Sequence, residues 1–67
     1  MLGTEILQLR EKAEIPQATL AAEVGMPRWK LCRIEKGTRR LKGEEAEALV
    51  AAIHAILGRR SWVGVGN

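Results

Sequence analysis

The 67-residue sequence predicts an all-α domain of four helices, with a short strand or a tail at its C-terminal end. The chain has no Phe or Tyr and is rich in Ala, Glu, Leu, Lys and Arg, which favour helices over strands. Apolar residues recur three and four positions apart, and Gly or Pro separates one such segment from the next. We therefore expect one domain over residues 1–58, and a tail over residues 59–67 as a candidate dimerisation element.

Helix 1 is predicted from about Thr4, a candidate N-cap, to Ala13. Ile6, Leu9 and Ala13 share one face of this helix and should point into the core. Arg10 falls at the edge of the same face. A guanidinium there needs a partner if it is even partly buried.

Helices 2 and 3 are each preceded by a proline and followed by a glycine. Pro16 disfavours helix in the residue before it and can itself start one, so helix 2 runs from about Gln17 to Val24. Gly25 ends helix 2, because glycine adopts the left-handed conformation most easily. Helix 3 begins at or just after Pro27 and should end at Gly37.

Helix 4 begins around Glu44, where acidic side chains suit the positive end of the helix dipole, and is closed by Gly58. Its predicted inner face consists of Ala46, Leu49, Val50, Ile53 and Leu57. The opposite face carries Ala48, Ala51, Ala52 and Ala55, either as good helix formers or as a surface that meets another subunit. Ser61 to Val65 could form a strand that pairs across a dimer, or a loose tail.

The net charge of +3 hides an uneven distribution. Between Arg28 and Lys42 there are seven basic residues and one acid, a local charge of +6, whereas the rest of the chain carries four bases and seven acids, a charge of −3. Such polarity is typical of a surface that binds a polyanion.

The inventory of side chains argues against an enzyme and against a metal site. The chain has no Asp, and one residue each of His, Ser and Cys. A Ser-His-acid set would have to recruit a Glu, and a metal cluster of His, Cys and carboxylates would need the only His and the only Cys. A single Cys also excludes an internal disulfide. No apolar run approaches the ~20 residues of a membrane span, and we expect a cytoplasmic, nucleoid-associated protein without a cofactor.

Helix 2, the turn at Gly25 and helix 3 together form a candidate helix-turn-helix. The small side chain of Ala21 lets the two helices approach, and Leu31 and Ile34 provide the inner face of helix 3. Residues 6–57 resemble the lambda-repressor-like helix-turn-helix family of phage repressors and small bacterial regulators. The matching residues are Leu9-Arg10, Gln17, Leu20-Ala21, Val24-Gly25-Met26, Leu31, Arg33-Ile34-Glu35 and Gly37.

The resemblance implies a compact all-α bundle of four to five helices that places helix 3 in the major groove of DNA and that binds a two-fold related operator as a homodimer. It also implies an ion pair between Arg10 and Glu35, and a phosphate contact by Gln17. The sequence departs from the family at Pro16 and Pro27, where Ser or Thr is common as a helix cap, and at Glu14, a turn position often given to glycine.

The outward half of helix 3 is the candidate DNA-reading surface. Arg28, Trp29, Cys32 and Arg33 are the candidate base-reading residues. Arginine pairs with guanine O6 and N7, so we expect guanines in each half-site. Trp29 packs on thymine methyls or sugar edges, makes a protein contact, or is turned into the core. The candidate phosphate contacts are Gln17, Lys30, Lys36, Arg39, Arg40 and Lys42.

The sequence thus predicts a sequence-specific DNA-binding regulator, most simply a repressor, of phage, mobile-element or bacterial origin. The candidate dimer interface comprises Ala48, Ala52, Ala55, Trp62 and Val63. The alternative is a protein-interaction module, such as an antitoxin, that holds a protein partner and binds DNA secondarily.

Overall fold

Four helices make up the computed structural model, which describes residues 1–37 and 40–65, with side chains as far as residue 60. They are α1 (Gly3–Lys12), α2 (Gln17–Val24), α3 (Arg28–Lys36) and α4 (Gly43–Val65). The all-α prediction is confirmed. Each of α1 and α2 packs against both α3 and α4, so the short helices form a layer closed by the long one.

The glycines and prolines bound the helices largely as their local chemistry predicts. Pro16 and Pro27 are the N-caps of α2 and α3, each extended and without a side-chain cap hydrogen bond. Gly25 ends α2 in the left-handed conformation with φ 74°, and Glu14 adopts a left-handed φ of 57° in the preceding turn. The Thr4 cap is wrong, because α1 begins at Gly3 and Leu2 is its N-cap.

The core is aliphatic and lies where the four helices meet. Its largest fully buried side chains are Ile6, Ile15, Leu20, Leu31 and Leu49. Leu9 was expected on the inner face of α1 but is 39% exposed, so that prediction is wrong. The core side of α1 is instead centred on Ile6, with Ala13 packed at its edge.

The inner face of α4 is rotated relative to the predicted one. Leu49 and Ile53 are buried as expected, but Ile56 is also buried and Leu57 is exposed. Ala52 is only 6% exposed and belongs to the core, so its assignment to the outer face is wrong. A buried centre at Leu49, Ile53 and Ile56 follows the helical repeat, and it turns position 52 inward and position 57 outward.

The helix α4 does not stop at Gly58 but continues to Val65, so the predicted strand at Ser61–Val65 is wrong. Two arginines directly after the glycine attach this part of α4 to the other helices. Arg59 donates to both carboxylate oxygens of Glu23, at 2.6 and 3.3 Å. Arg60 donates to the carbonyl oxygens of Ala13 (2.8 Å) and Glu14 (3.1 Å), where carbonyls at the end of α1 lack helical partners.

Candidate nucleic-acid interface

The helices α2 and α3 are joined by a turn that main-chain hydrogen bonds hold. The Gly25 amide donates to the Ala22 carbonyl at 3.2 Å, and the Met26 amide donates to the Ala21 carbonyl at 3.0 Å. Ala21 is buried between the helices, and Leu31 is buried on the inner side of α3. The turn and these contacts fix the direction in which α3 leaves the body of the domain.

A buried ion pair ties α3 to α1. Arg10 Nε donates to Glu35 Oε2 at 2.7 Å, and Arg10 Nη2 donates to Oε1 at 3.0 Å. A third donor of the guanidinium, Nη1, reaches the carbonyl oxygen of Ile15 at 2.9 Å. The hydrogen bond to Glu35 raises the pKa of Arg10, although desolvation acts in the opposite direction. The pair implied by the family resemblance is therefore present, and it satisfies the charge of Arg10.

Gln17 extends this pair to the first residue of α3. Its Nε2 donates to Glu35 Oε1 at 2.9 Å, and its Oε1 accepts a hydrogen bond from Arg28 Nε at 3.1 Å. Arg28 is thus held through its inner nitrogen, and its two terminal nitrogens have no hydrogen-bond partner among the described residues. The amide of Gln17 keeps one N–H for a ligand, so its predicted phosphate contact stays a prediction.

The outer face of α3, which we define as Arg28, Trp29, Lys30, Arg33 and Lys36, is exposed along its whole length. Trp29 is 62% exposed, which excludes the alternative that it belongs to the core. Cys32 is half-buried beside these residues. In the part of the chain that the structure describes, none of the four cations of this face forms an ion pair.

A cleft of about 640 Å³ lies beside the outer face of α3, between this helix and the start of α4. Trp29, Lys30 and Arg33 line one wall, and Leu41 and Glu45 line the other. Pro27, Ile34 and Gly37 complete the lining. The cleft therefore combines an apolar floor with two cations and an exposed indole.

The loop between α3 and α4 carries the remaining candidate phosphate contacts. Arg40 and Lys42 are exposed, whereas Leu41 between them is buried. Arg39 lies outside the described residues. Among the side chains that can be placed, no three His, Cys, Asp or Glu residues come together as a metal site.

The outer side of α4 is the candidate dimer interface. Ala48, Ala51 and Ala55 are exposed there, whereas Ala52 is in the core. The side chains of Trp62 and Val63 fall outside the described part of the chain. A groove of about 360 Å³ on the adjoining flank of α4 shares Ala51 with this side and is otherwise lined by Met1, Ala46, Glu47, Val50 and His54.

Sequence reasoning missed two sets of contacts. Arg59 and Arg60 were assigned to a tail, and no local pattern indicated that they would reach α1 and α2. The N-terminal residues were also overlooked, although they contact the loop after α3. Gly3, a helix-destabilising residue in the first turn of a helix, is the signal that could have revealed this close contact.

A family model described as a helix-turn-helix domain matches residues 1–61, so the chain belongs to that family. No curated protein and no solved structure matches it significantly. Within the described residues, the helices are each too short or too polar to cross a membrane.

Proposed function

Because the chain is a helix-turn-helix domain, we propose that it binds double-stranded DNA in a sequence-specific manner, with α3 in the major groove. The observation that carries this proposal is the outer face of α3, where four exposed cations form no ion pair within the described residues. Unneutralised positive charge on one exposed helix attracts a polyanion. The major groove of DNA is wide enough to admit such a helix.

Arg28, Trp29, Cys32 and Arg33 are the proposed base-reading residues. Arg28 has the best-defined position, because Gln17 holds its Nε and leaves the terminal fork free for guanine O6 and N7. A side chain that is already ordered loses less conformational entropy on binding. Arg33 lies five residues further along the same face, about 1.4 helical turns, and is exposed. Operators with guanine in each half-site follow from these two arginines.

Phosphate contacts are proposed for Gln17, Lys30, Lys36, Arg39, Arg40 and Lys42. Such contacts supply affinity and salt dependence without reading sequence. They would flank the base-reading residues, since Lys36 ends α3 and Arg40 and Lys42 lie on the loop that follows it.

We further propose a transcriptional repressor of the lambda-repressor-like type that acts as a homodimer. The exposed alanines Ala48, Ala51 and Ala55 and the adjoining groove leave the outer side of α4 open to a second copy. A two-fold dimer would match a two-fold related operator. An antitoxin that uses the same side of α4 for a different protein is the alternative, and sedimentation of the pure chain distinguishes them.

The test of this function is selection of bound duplexes from random DNA, followed by two substitutions. Arg33→Ala should weaken binding to the selected operator by about 1–3 kcal/mol and relax the preference at one base pair. Lys36→Ala should weaken operator and random DNA alike and reduce the salt slope by about one. Lys12→Ala on α1 is the control for a lost charge outside the interface. Equal losses on both DNAs for Arg33→Ala would contradict the groove assignment.

A further inference from the structure

The first three residues contact both walls of the cleft beside α3. Gly3 is buried against the end of α3, and a Cβ at this position would overlap the carbonyl oxygen of Ile34 and lie 2.8 Å from its carbonyl carbon. The main chains of α1 and α3 therefore touch at this point. Ile34 itself lines the cleft, so any shift of Gly3 moves the α3 wall.

Residues 1 and 2 run antiparallel to the opposite wall. The Leu41 amide donates to the carbonyl oxygen of Met1 at 2.8 Å, and Leu2 forms an antiparallel bridge with Arg40. Leu41 lines the cleft and Arg40 precedes it. The loop after α3 is thus fastened to the N-terminal segment by main-chain bonds.

Glu5 fixes the N-terminal segment in turn. The Leu2 amide donates to Glu5 Oε1 at 2.9 Å, and the Glu5 amide donates to the Leu2 carbonyl at 3.0 Å. Leu2 is extended, with φ −91° and ψ 151°, which directs Met1 towards Leu41. Among the described residues, the exposed carboxylate of Glu5 is the side chain that hydrogen-bonds to this segment.

We propose that residues 1–3 form a brace that sets the width of the cleft, and that the cleft receives the sugar–phosphate backbone of one DNA strand. The inference rests on the proposed DNA binding and adds the positioning residues of that site. Lys30 on one wall and Arg40 beside the other supply positive charge for the phosphates, against Glu45 as the acid of the lining, whereas Arg33 in the same lining is assigned to the bases. Apolar Pro27 and Leu41 suit the sugars.

A fixed spacing matters because phosphates along a strand are regularly placed, and two walls held at that spacing need no ordering on binding. An untied loop would have to be ordered as DNA binds, which lowers affinity without changing base preference. The brace therefore acts on sequence-independent affinity. Gly3, Leu2 and Glu5 are positioning residues and need not touch DNA.

The test compares Glu5→Ala with Glu5→Gln in the full chain. Both variants lose the same charge, but only glutamine keeps an oxygen that can accept the Leu2 amide. Glu5→Ala should bind random duplex DNA about three- to tenfold more weakly than Glu5→Gln, which is the range expected for one lost hydrogen bond. The Leu41 amide should exchange with solvent faster in Glu5→Ala. Base preference in the selected operator should be the same in both.

Gly3→Ala tests the other contact and should give a similar loss on random DNA. If this variant does not fold by circular dichroism, the Glu5 pair still decides. Equal affinity of the two Glu5 variants overturns the inference, and so does faster Leu41 exchange without a change in affinity. If the unsubstituted chain binds no duplex DNA, the proposed function itself fails. If the unsubstituted chain binds and the two Glu5 variants bind equally well, only the inference about the brace fails.

Discussion

Replacing Arg10 with methionine should destabilise the domain far more than the loss of a surface ion pair. Arg10 donates two hydrogen bonds to Glu35, whose side chain is only 3% exposed. Methionine keeps an unbranched apolar stem like that of arginine but donates no hydrogen bond. The carboxylate of Glu35 then stays buried, with the amide of Gln17 as its remaining side-chain donor.

The expected loss follows from this geometry. Removing one partner of a buried ion pair typically costs about 3–5 kcal/mol, because the other charge is left without compensation. The lower end applies here, since Arg10 is 13% exposed and Gln17 continues to donate to Glu35. A domain of this size has a total free energy of unfolding of roughly 3–10 kcal/mol. A loss of about 3 kcal/mol would therefore remove between about a third and all of the free energy of unfolding of the domain.

The assay is urea denaturation followed by far-UV circular dichroism. The double variant Arg10→Met/Glu35→Met should recover most of the loss, because no charge remains buried. Arg59→Met is the matched control, since it breaks an exposed pair with Glu23 and should barely move the urea midpoint. A loss below about 1 kcal/mol for Arg10→Met, the range of exposed pairs, would refute the reasoning. A double variant less stable than the single variant would refute it too.

Two glycines and one surface pair give further predictions. Gly58→Ala should raise the free energy of unfolding by about 0.5–1 kcal/mol, because Gly58 lies within α4 with open space around the added Cβ. Gly25→Ala, at φ 74°, should lower it by about 1–2 kcal/mol. In urea titrations, a fall for Gly58→Ala or a rise for Gly25→Ala would contradict the assignment of that glycine. The hydrogen bond from Arg59 lowers the pKa of Glu23, so an NMR titration should show that pKa return towards its ordinary value in Arg59→Gln. The ion pair therefore stabilises the fold fully above the ordinary pKa of Glu23, and this stabilisation is lost as pH falls through the lowered pKa. An unchanged Glu23 pKa in Arg59→Gln would exclude the ion pair in solution.

The boundaries of α2 and α3 could be predicted because they depend on local backbone chemistry. Pro16 and Pro27 fix the entry to each helix, and Gly25 supplies the left-handed residue that ends α2. The buried ion pair was also within reach, because a charge at the edge of an apolar face needs a partner and Glu35 was placed by the family resemblance. Local chemistry and one electrostatic requirement therefore account for the position of the outer face of α3.

The long helix α4 was less predictable because its sequence is apolar on nearly every side. Alanine, leucine and isoleucine occur at adjacent positions, so either Ile56 or Leu57 could have continued the inner face. Tertiary packing decides between them, and it also turns Ala52 inward. Gly58 was predicted to end the helix, but α4 continues past it. Arg59 and Arg60, directly after the glycine, hydrogen-bond to distant segments of the chain. Such long-range contacts leave no periodic signal in the sequence.

The buried carboxylate of Glu35 also limits which amino acids position 28 can carry. A carboxylate only accepts hydrogen bonds, so the amide of Gln17 must turn its nitrogen towards Glu35 and its oxygen towards position 28. Donors such as arginine suit that oxygen, whereas an acidic side chain would meet a second acceptor. Acidic side chains are the ones that accept from cytosine N4. If α3 reads DNA as proposed, a charge pair in the core thus restricts the operators that descendants of this domain can evolve to recognise.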